Sequence, residues 1–401
     1  MIVISSKGLR TALEIAKRNI PVVLRSPVHP LDKSNCSQGA GGLWMPYKCD
    51  DPRVDNWAIE TLDEIHPLAA DSNNSLVDLR YVLSLKRKHE GPDTEDMVSK
   101  DYHKGLGGKS LLPLWSQDVR LNFQNATLEQ VAWQNQIHQL RLPSLSKAQA
   151  AGYNHSWFFQ TPIVDCPKML ESLLNELVTG KSASNDENIA DVDVNIETGV
   201  YYQSKEELFE EAKKLDCDAI VNCTGLGASK LCNDYQMIGA RGALLVYDRK
   251  TCKRLDSTTD DEIPGSSSDV QELHDACIFA VERPWGSDEY PSYMIIRGDD
   301  IVVGGTCLNG DTEPTMRPEE RTRLLENARL MGIDTNACQP KEDWVGFRPY
   351  RENIRCEIDD TDDYAKKDYE KIRLVHCYGT GGSGWTIYTG MAKEATRLVL
   401  Q

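Results

Sequence analysis

Ile2, Val3 and Ile4 form a short apolar run, after which the apolar positions change to a helical spacing. Leu9, Ala12, Leu13 and Ala16 share one face between Gly8 and Asn19. Pro21 stops that helix, and Val22-Val23-Leu24 reads as a second, buried strand. Val54, Trp57, Ala58, Leu62 and Ile65 form one stripe of a helix expected over 52–69. Met169, Leu170, Leu173, Leu174, Leu177 and Val178 are the apolar face of another, over 166–180. Pro167 suits its first turn, where a missing N–H costs nothing, and Gly180 ends it. A helix over 205–215 leads into the strand Ala219-Ile220-Val221 and the turn Asn222-Cys223-Thr224-Gly225. Segments 241–248 and 293–306 read as antiparallel sheet. In the second, Arg297-Gly298-Asp299-Asp300 turns the chain between two apolar strands. A helix over 318–331 follows. A strand from Arg373 to His376 then runs into the glycine-rich GTGGSG (379–384) and a last helix. Residues 70–150 mix charge with short apolar runs and give no clear element.

The order is βαβ first, antiparallel sheet in the middle, and strand, glycine loop and helix last. It predicts a mixed α/β (α+β) protein. A Rossmann-like nucleotide-binding domain is assembled from 1–50, 150–235 and 340–401. An inserted antiparallel-sheet substrate domain takes 51–149 and 236–339. A chain of 401 residues suits two connected domains. The formal net charge of −17 argues against nucleic acid or an anionic membrane as partner. No run approaches the ~18 apolar residues of a membrane span. Twelve scattered cysteines, without CxxC pairs or a secretory signal, are expected to be reduced thiols of an intracellular protein. The C-terminal Leu398-Val399-Leu400-Gln401 lacks the peroxisomal Ser-Lys-Leu tripeptide. No Ser/His/Asp or metal-ligand constellation is recognisable, and no metal is expected.

Four stretches could carry chemistry. The opening loop keeps one glycine of a dinucleotide fingerprint, Gly8, with Ser5 and Val3 where the other two would stand. Alone it reads as an ordinary structural βαβ. Gly39-Ala40-Gly41-Gly42-Leu43-Trp44-Met45-Pro46-Tyr47 is either a glycine-rich turn or a backbone able to approach a flat ring. Gly346-Phe347-Arg348-Pro349-Tyr350-Arg351 fixes an arginine that could grip a carboxylate with both nitrogens, or form a surface ion pair. Tyr378-Gly379-Thr380-Gly381-Gly382-Ser383-Gly384-Trp385-Thr386 presents bare amides at a helix N-terminus, which favour an anion or electron-rich oxygen. Gly105 to Ser110 ends like a P-loop, but His103 stands where a glycine is needed.

Taken together, these segments resemble the D-amino acid oxidase family, which uses FAD. The resemblance runs in order through GLRTALEIA, GAGGLWMPY, DAIVNCTG, ARGALLVYD, YMIIRGDDIVVGGT, GFRPYR and HCYGTGGSGWTIYTG. It implies that Arg348 pairs with the substrate carboxylate and that Tyr293 donates its hydroxyl to the same group. Gly382 would offer its carbonyl to the substrate amine, and Tyr47 would line the entrance. Gly41, Gly42 and Leu43 would lie against the isoalloxazine. Gly381, Gly382, Ser383, Gly384, Trp385 and Thr386 would face its N1/O2 edge, and Ser5, Ser6 and Gly8 would meet the pyrophosphate. A second pocket tyrosine of the family is Glu289 here, with Tyr290 one step away.

The implied reaction takes a D-amino acid and dioxygen to a 2-oxo acid, ammonia and hydrogen peroxide. Hydride goes to flavin N5, and no protein base is needed. Related D-aspartate oxidases carry an arginine after the GGT of the second hairpin strand. Cys307 occupies that place, so a neutral D-amino acid is expected, unless Arg297 points inward. A D-aspartate or glycine/sarcosine-type oxidase is the enzyme alternative. A non-catalytic relative with weakened FAD binding is the other. A homodimer and a cytoplasmic or peroxisomal setting are further expectations. By ungapped comparison the chain begins about four residues late for this fold. Either the start is truncated, or Ser5, Ser6 and Lys7 hold the pyrophosphate in a real variant.

Overall fold

The computed structural model describes residues 2–3, 6–47, 49, 51–87, 112–138, 145–181, 192–252, 276–359 and 372–401. Ser5, the GLGGKS run at 105–110 and the polar insertion at 257–269 lie outside the described residues.

The chain opens with β1 (Ile2–Val3), α1 (Ser6–Ala16), β2 (Val22–Ser26), α2 (Val54–Ala70), β3 (Val77–Lys86) and β4 (Gln124–Thr127). Next come α3 (Leu128–His138), α4 (Leu145–Ala150), β5 (His155–Val164), α5 (Cys166–Thr179), β6 (Val194–Thr198), α6 (Lys205–Lys214), β7 (Ala219–Asn222) and α7 (Ala228–Leu231). The remainder is β8 (Ile238–Asp248), β9 (Ala276–Ala280), β10 (Ser292–Arg297), β11 (Asp300–Gly304), β12 (Leu308–Asn309), α8 (Pro318–Leu330), β13 (Glu342–Ile358), β14 (Arg373–Thr380) and α9 (Gly384–Val399).

One continuous sheet runs β4-β5-β3-β9-β10-β11-β8-β13-β14-β7-β1-β2-β6. From β14 to β6 its strands are parallel, as expected for a nucleotide-binding half joined from both chain ends. Leu9, Ala12, Leu13 and Ala16 of α1 are fully buried there. Helix α9 packs on α1 and α2. It approaches α2 closely because Gly390 has no side chain: a Cβ would come within 2.4 Å of Trp57 Cα. Asp165 caps α5 from its side chain, and Gly180, in the left-handed region at φ 69°, ends it.

Strands β10, β11, β8 and β13 are antiparallel neighbours, and Arg297 and Asp300 flank the expected turn. Period-two alternation splits this half. Leu245, Tyr247, Ile301 and Val303 face Leu324 and Ala328 of α8. Leu244, Val246, Val302, Tyr293 and Ile295 join the core on the other side. Strand β13 spans both halves, pairing with β8 through Glu342–Tyr350 and with β14 through Tyr350–Ile358, with a bulge between Tyr350 and Arg355. GFRPYR therefore rides on the seam.

Some boundaries differ from expectation. Helix α1 starts at Ser6, so Gly8 is within its first turn rather than before it. Strand β5 pairs with β3 along its whole length, which puts 155–164 in the antiparallel half. Helix α2 packs on α9 in the other half. The breaks expected at 50/51 and 149/150 thus do not follow the sheet.

A buried polar cluster links β7 and β14. His376 has no exposed surface, its Nδ1 lies 3.3 Å from Asn222 Nδ2, and its Nε2 lies 3.3 Å from Asp359. Lys205 Nζ donates to Asp359 at 2.7 Å. Burial pushes the His376 pKa below its ordinary 6.5, with Asp359 opposing. The unfolded chain therefore takes up the proton first. Stability from this group is complete above the ordinary histidine range and falls as pH drops through it. Urea midpoints are expected to fall from about pH 7 to about pH 5, and His376→Gln should flatten that slope. An identical slope in the variant would remove His376 as its source.

Candidate active site

The glycine at 242 and the arginine at 348 define the floor of the site. Gly346 of β13 stands opposite Gly242 of β8. Trp344, Gly346 and Arg348 alternate onto one face of β13. Trp344 lies over Gly346 and Gly39, where a Cβ would come within 2.0 Å and 2.1 Å of its ring. Arg348 lies over Gly242, where a Cβ would come within 2.3 Å of Nη1. Its Nη1 donates to the Thr306 carbonyl at 3.0 Å. Among the described residues Arg348 has no ion-pair partner.

Tyr293 comes from β10. Its ring covers Gly304 and Gly305, whose Cβ atoms would meet its hydroxyl oxygen at 2.2 and 2.7 Å. Burial pushes the Tyr293 pKa up, while the Arg348 charge opposes, so the hydroxyl keeps its proton. Phe279 of β9 stacks on Tyr293 with ring centroids 5.9 Å apart. Tyr47 meets Phe279 edge-on at 5.2 Å. Phe279, which no motif singles out, therefore joins two of the expected pocket residues.

The head of α9 closes the other side. Gly379 and Gly381 have φ of 95° and 51°, conformations that favour glycine. A Cβ on Gly382 would meet only Arg348 Cδ, at 3.7 Å, so the backbone there is open beside the guanidinium. Ser383 Oγ donates to the Tyr47 carbonyl at 2.7 Å and accepts from the Tyr47 amide at 3.3 Å. The Thr386 hydroxyl is 3.2 Å from the Met45 carbonyl and 3.5 Å from that of Leu43. It fastens the 43–45 backbone to α9. Trp385 Nε1 donates to the Ser37 carbonyl at 3.2 Å. Gly384 is the first residue of α9.

Gly41 and Gly42 also pack tightly against the sheet. A Cβ on Gly41 would strike Ile295 Cδ1 at 2.4 Å, and one on Gly42 would strike the Val164 carbonyl oxygen at 2.0 Å. These glycines let the loop press onto β10 and β5, and Leu43 bridges to Ile163. Arg297 does not undercut the neutral-substrate expectation: it donates to the Gln38 and Ala40 carbonyls and pairs with Asp300 at 3.1 Å. Ser6 and Gly8 lie at the start of α1, away from these side chains in sequence but in the same parallel half.

Gly242 is a residue that pattern alone does not reveal, since ARGALLVYD reads only as a strand. Gly242→Ala is expected to displace the Arg348 guanidinium and cut kcat/KM at least ~30-fold, by misplacing a binding group. Bound flavin should be retained. Comparable kinetics in the variant would show that Arg348 has room to move.

A family model described as FAD dependent oxidoreductase matches residues 7–398. The chain is 25% identical over 395 residues to a D-amino-acid oxidase of Streptomyces coelicolor, covering 98% of this chain and 93% of that one. It is 26% identical over 190 residues to human D-aspartate oxidase, covering 45% and 44%. Among solved structures, glycine oxidase from Geobacillus kaustophilus has a TM-score of 0.64 at 12% identity, covering 100% of this chain and 93% of that chain. Glycine oxidase from Bacillus cereus has a TM-score of 0.61 at 16% identity, covering 100% and 94%.

Proposed function

The chain belongs to the FAD dependent oxidoreductase family, and within it we propose that it oxidises a free D-amino acid to the 2-oxo acid. Ammonia is released and dioxygen becomes hydrogen peroxide. The observation that carries this reading is the convergence of Arg348, without an ion-pair partner among the described residues, on the buried Tyr293 hydroxyl beside the open Gly382 backbone. That is a receptor for one carboxylate with an amine next to it.

The residues at the head of α9 fit a flavin. Gly381, Gly382, Ser383 and Gly384 leave amides free of side-chain cover at a helix N-terminus, which suits an oxygen that gains negative charge. Trp385 and Thr386 hold the neighbouring loop, Leu43 and the two glycines before it complete the wall, and the start of α1, at Ser6 and Gly8, would meet the pyrophosphate. FAD, when bound, supplies the two-electron acceptor. The protein does the rest by positioning. Arg348 and Tyr293 anchor the carboxylate. The Gly382 carbonyl accepts from the amine and orients its lone pair toward the α-carbon. Tyr47, Phe279 and Tyr293 exclude water from one side. No side-chain base is required, because the amine reacts in its neutral form.

The purified protein should be yellow, and D-alanine or D-aspartate should bleach its flavin bands without oxygen. L-amino acids should not. Readmitting oxygen should return the colour with one peroxide per 2-oxo acid. A flavin that no D-amino acid reduces would overturn the proposal.

A further inference from the structure

The side chain of Arg323, on α8, reaches the same backbone stretch that holds Arg348. Arg323 Nη2 donates to the Gly305 carbonyl, and Arg348 Nη1 donates to the next carbonyl, that of Thr306, at 3.0 Å. Gly305 is also the residue whose Cβ would meet the Tyr293 hydroxyl oxygen at 2.7 Å. The guanidinium lies over the Tyr290 ring at 4.7 Å. Tyr290 is 38% exposed, so this pair forms part of the rim rather than the core.

What Arg323 lacks is an anion. Burial lowers its pKa, with Tyr290 and Glu320 opposing, and it closes no ion pair among the described residues. Its Nε is buried with no hydrogen-bond partner. Glu320, one turn earlier on the same helix, is already gripped by Arg241 at 2.6 and 2.9 Å. A guanidinium withdrawn from water, stacked on an aromatic ring and missing a carboxylate is poised to receive one. Two cations held by consecutive carbonyls, beside a tyrosine hydroxyl that packs on the same stretch, match a ligand with two carboxylates separated by a short chain.

Resting on the oxidase reading above, we propose that Arg323 is a specificity-determining residue that binds a side-chain carboxylate. The preferred substrate is then an acidic D-amino acid. The expectation of a neutral substrate followed from Cys307, where no cation stands. The fold brings a cation from α8 to the Gly305 carbonyl, two residues before Cys307, on a helix that no strand motif reports.

The test compares D-aspartate, D-glutamate and D-alanine with the FAD-loaded enzyme, its Arg323→Leu and its Arg323→Lys variants. The wild-type ratio of kcat/KM, the better acidic substrate over D-alanine, is expected to exceed ~10. Arg323→Leu should lower that ratio at least ~30-fold, and Arg323→Lys should keep part of it. A second readout needs no turnover. Perturbation of the flavin spectrum should show succinate binding wild type at least ~10-fold more tightly than propionate. That difference should vanish in Arg323→Leu. A ratio unmoved in Arg323→Leu, or equal affinity for the two acids in wild type, would overturn the assignment while D-alanine oxidation left the oxidase reading intact. Failure of all three substrates to reduce the flavin would remove the oxidase reading and this one with it.

Discussion

Replacing Arg348 by alanine is expected to lower kcat/KM for D-amino acids by at least ~100-fold, on the order of 3 kcal/mol of transition-state stabilisation. The magnitude follows from the site. Tyr293 would remain as a neutral donor, able to make one hydrogen bond where the proposed substrate carboxylate would otherwise meet a charged guanidinium. The fold should tolerate the change, because Arg348 has no ion-pair partner among the described residues and donates to a backbone carbonyl, that of Thr306. Melting temperature and flavin content should therefore stay close to wild type. Arg348→Lys separates charge from shape: it keeps the cation but loses the planar fork, so partial recovery is expected. Steady-state kinetics with bound flavin quantified beforehand give the answer. A rate within a factor of about two of wild type would take Arg348 out of the substrate site and, with it, the anchor of the proposed reaction.

Local strings made part of this site legible. GFRPYR and GTGGSG announce themselves because their backbone needs glycines and proline at fixed places, and Arg348 and Gly382 come with them. The parallel half was legible for a related reason. Its inner strands, largely buried, read as plain apolar runs, as Val22 to Leu24 does. What the chain conceals are the consequences of pairing. Gly242 must be glycine because β13 brings Arg348 over it, and only the register of β8 with β13 says so. Phe279 joins Tyr47 to Tyr293 from a strand with no motif of its own. Strand β3 mixes Asp78 and Arg80 with apolar neighbours, so its pattern carries no clear period, and it is the pairing with β5 and β9 on its two sides that makes it a strand. The same pairing carries one sheet through both halves of the chain, by way of β13.

The second large effect lies behind the site. Glu320→Ala is expected to destabilise the protein by about 3–5 kcal/mol, the usual result of stripping one partner from a buried ion pair. Arg241 has no exposed surface and projects from β8 toward α8. It is satisfied by both Glu320 oxygens, by the Glu313 carbonyl and by the Thr315 carbonyl at 2.7 Å. Glu320 also accepts from the Arg317 amide at 3.0 Å, closing the start of α8. With alanine at 320, the two carbonyls and Asp311, 4.0 Å away, remain to face a full buried charge, and the first turn of the helix loses its cap. Arg241→Met with Glu320→Leu removes the charge and its partner together. That double variant should be more stable than Glu320→Ala alone, since no unpaired ion is left behind. Urea unfolding of the three proteins checks the order. A loss below about 1 kcal/mol for Glu320→Ala would mean that water reaches Arg241. Because α8 also carries Arg323, a helix loosened at its first turn should blur the discrimination between acidic and neutral substrates before it affects the carboxylate grip of Arg348 on β13. The ratio of D-aspartate to D-alanine turnover should thus fall in Glu320→Ala with the D-alanine rate the less disturbed of the two.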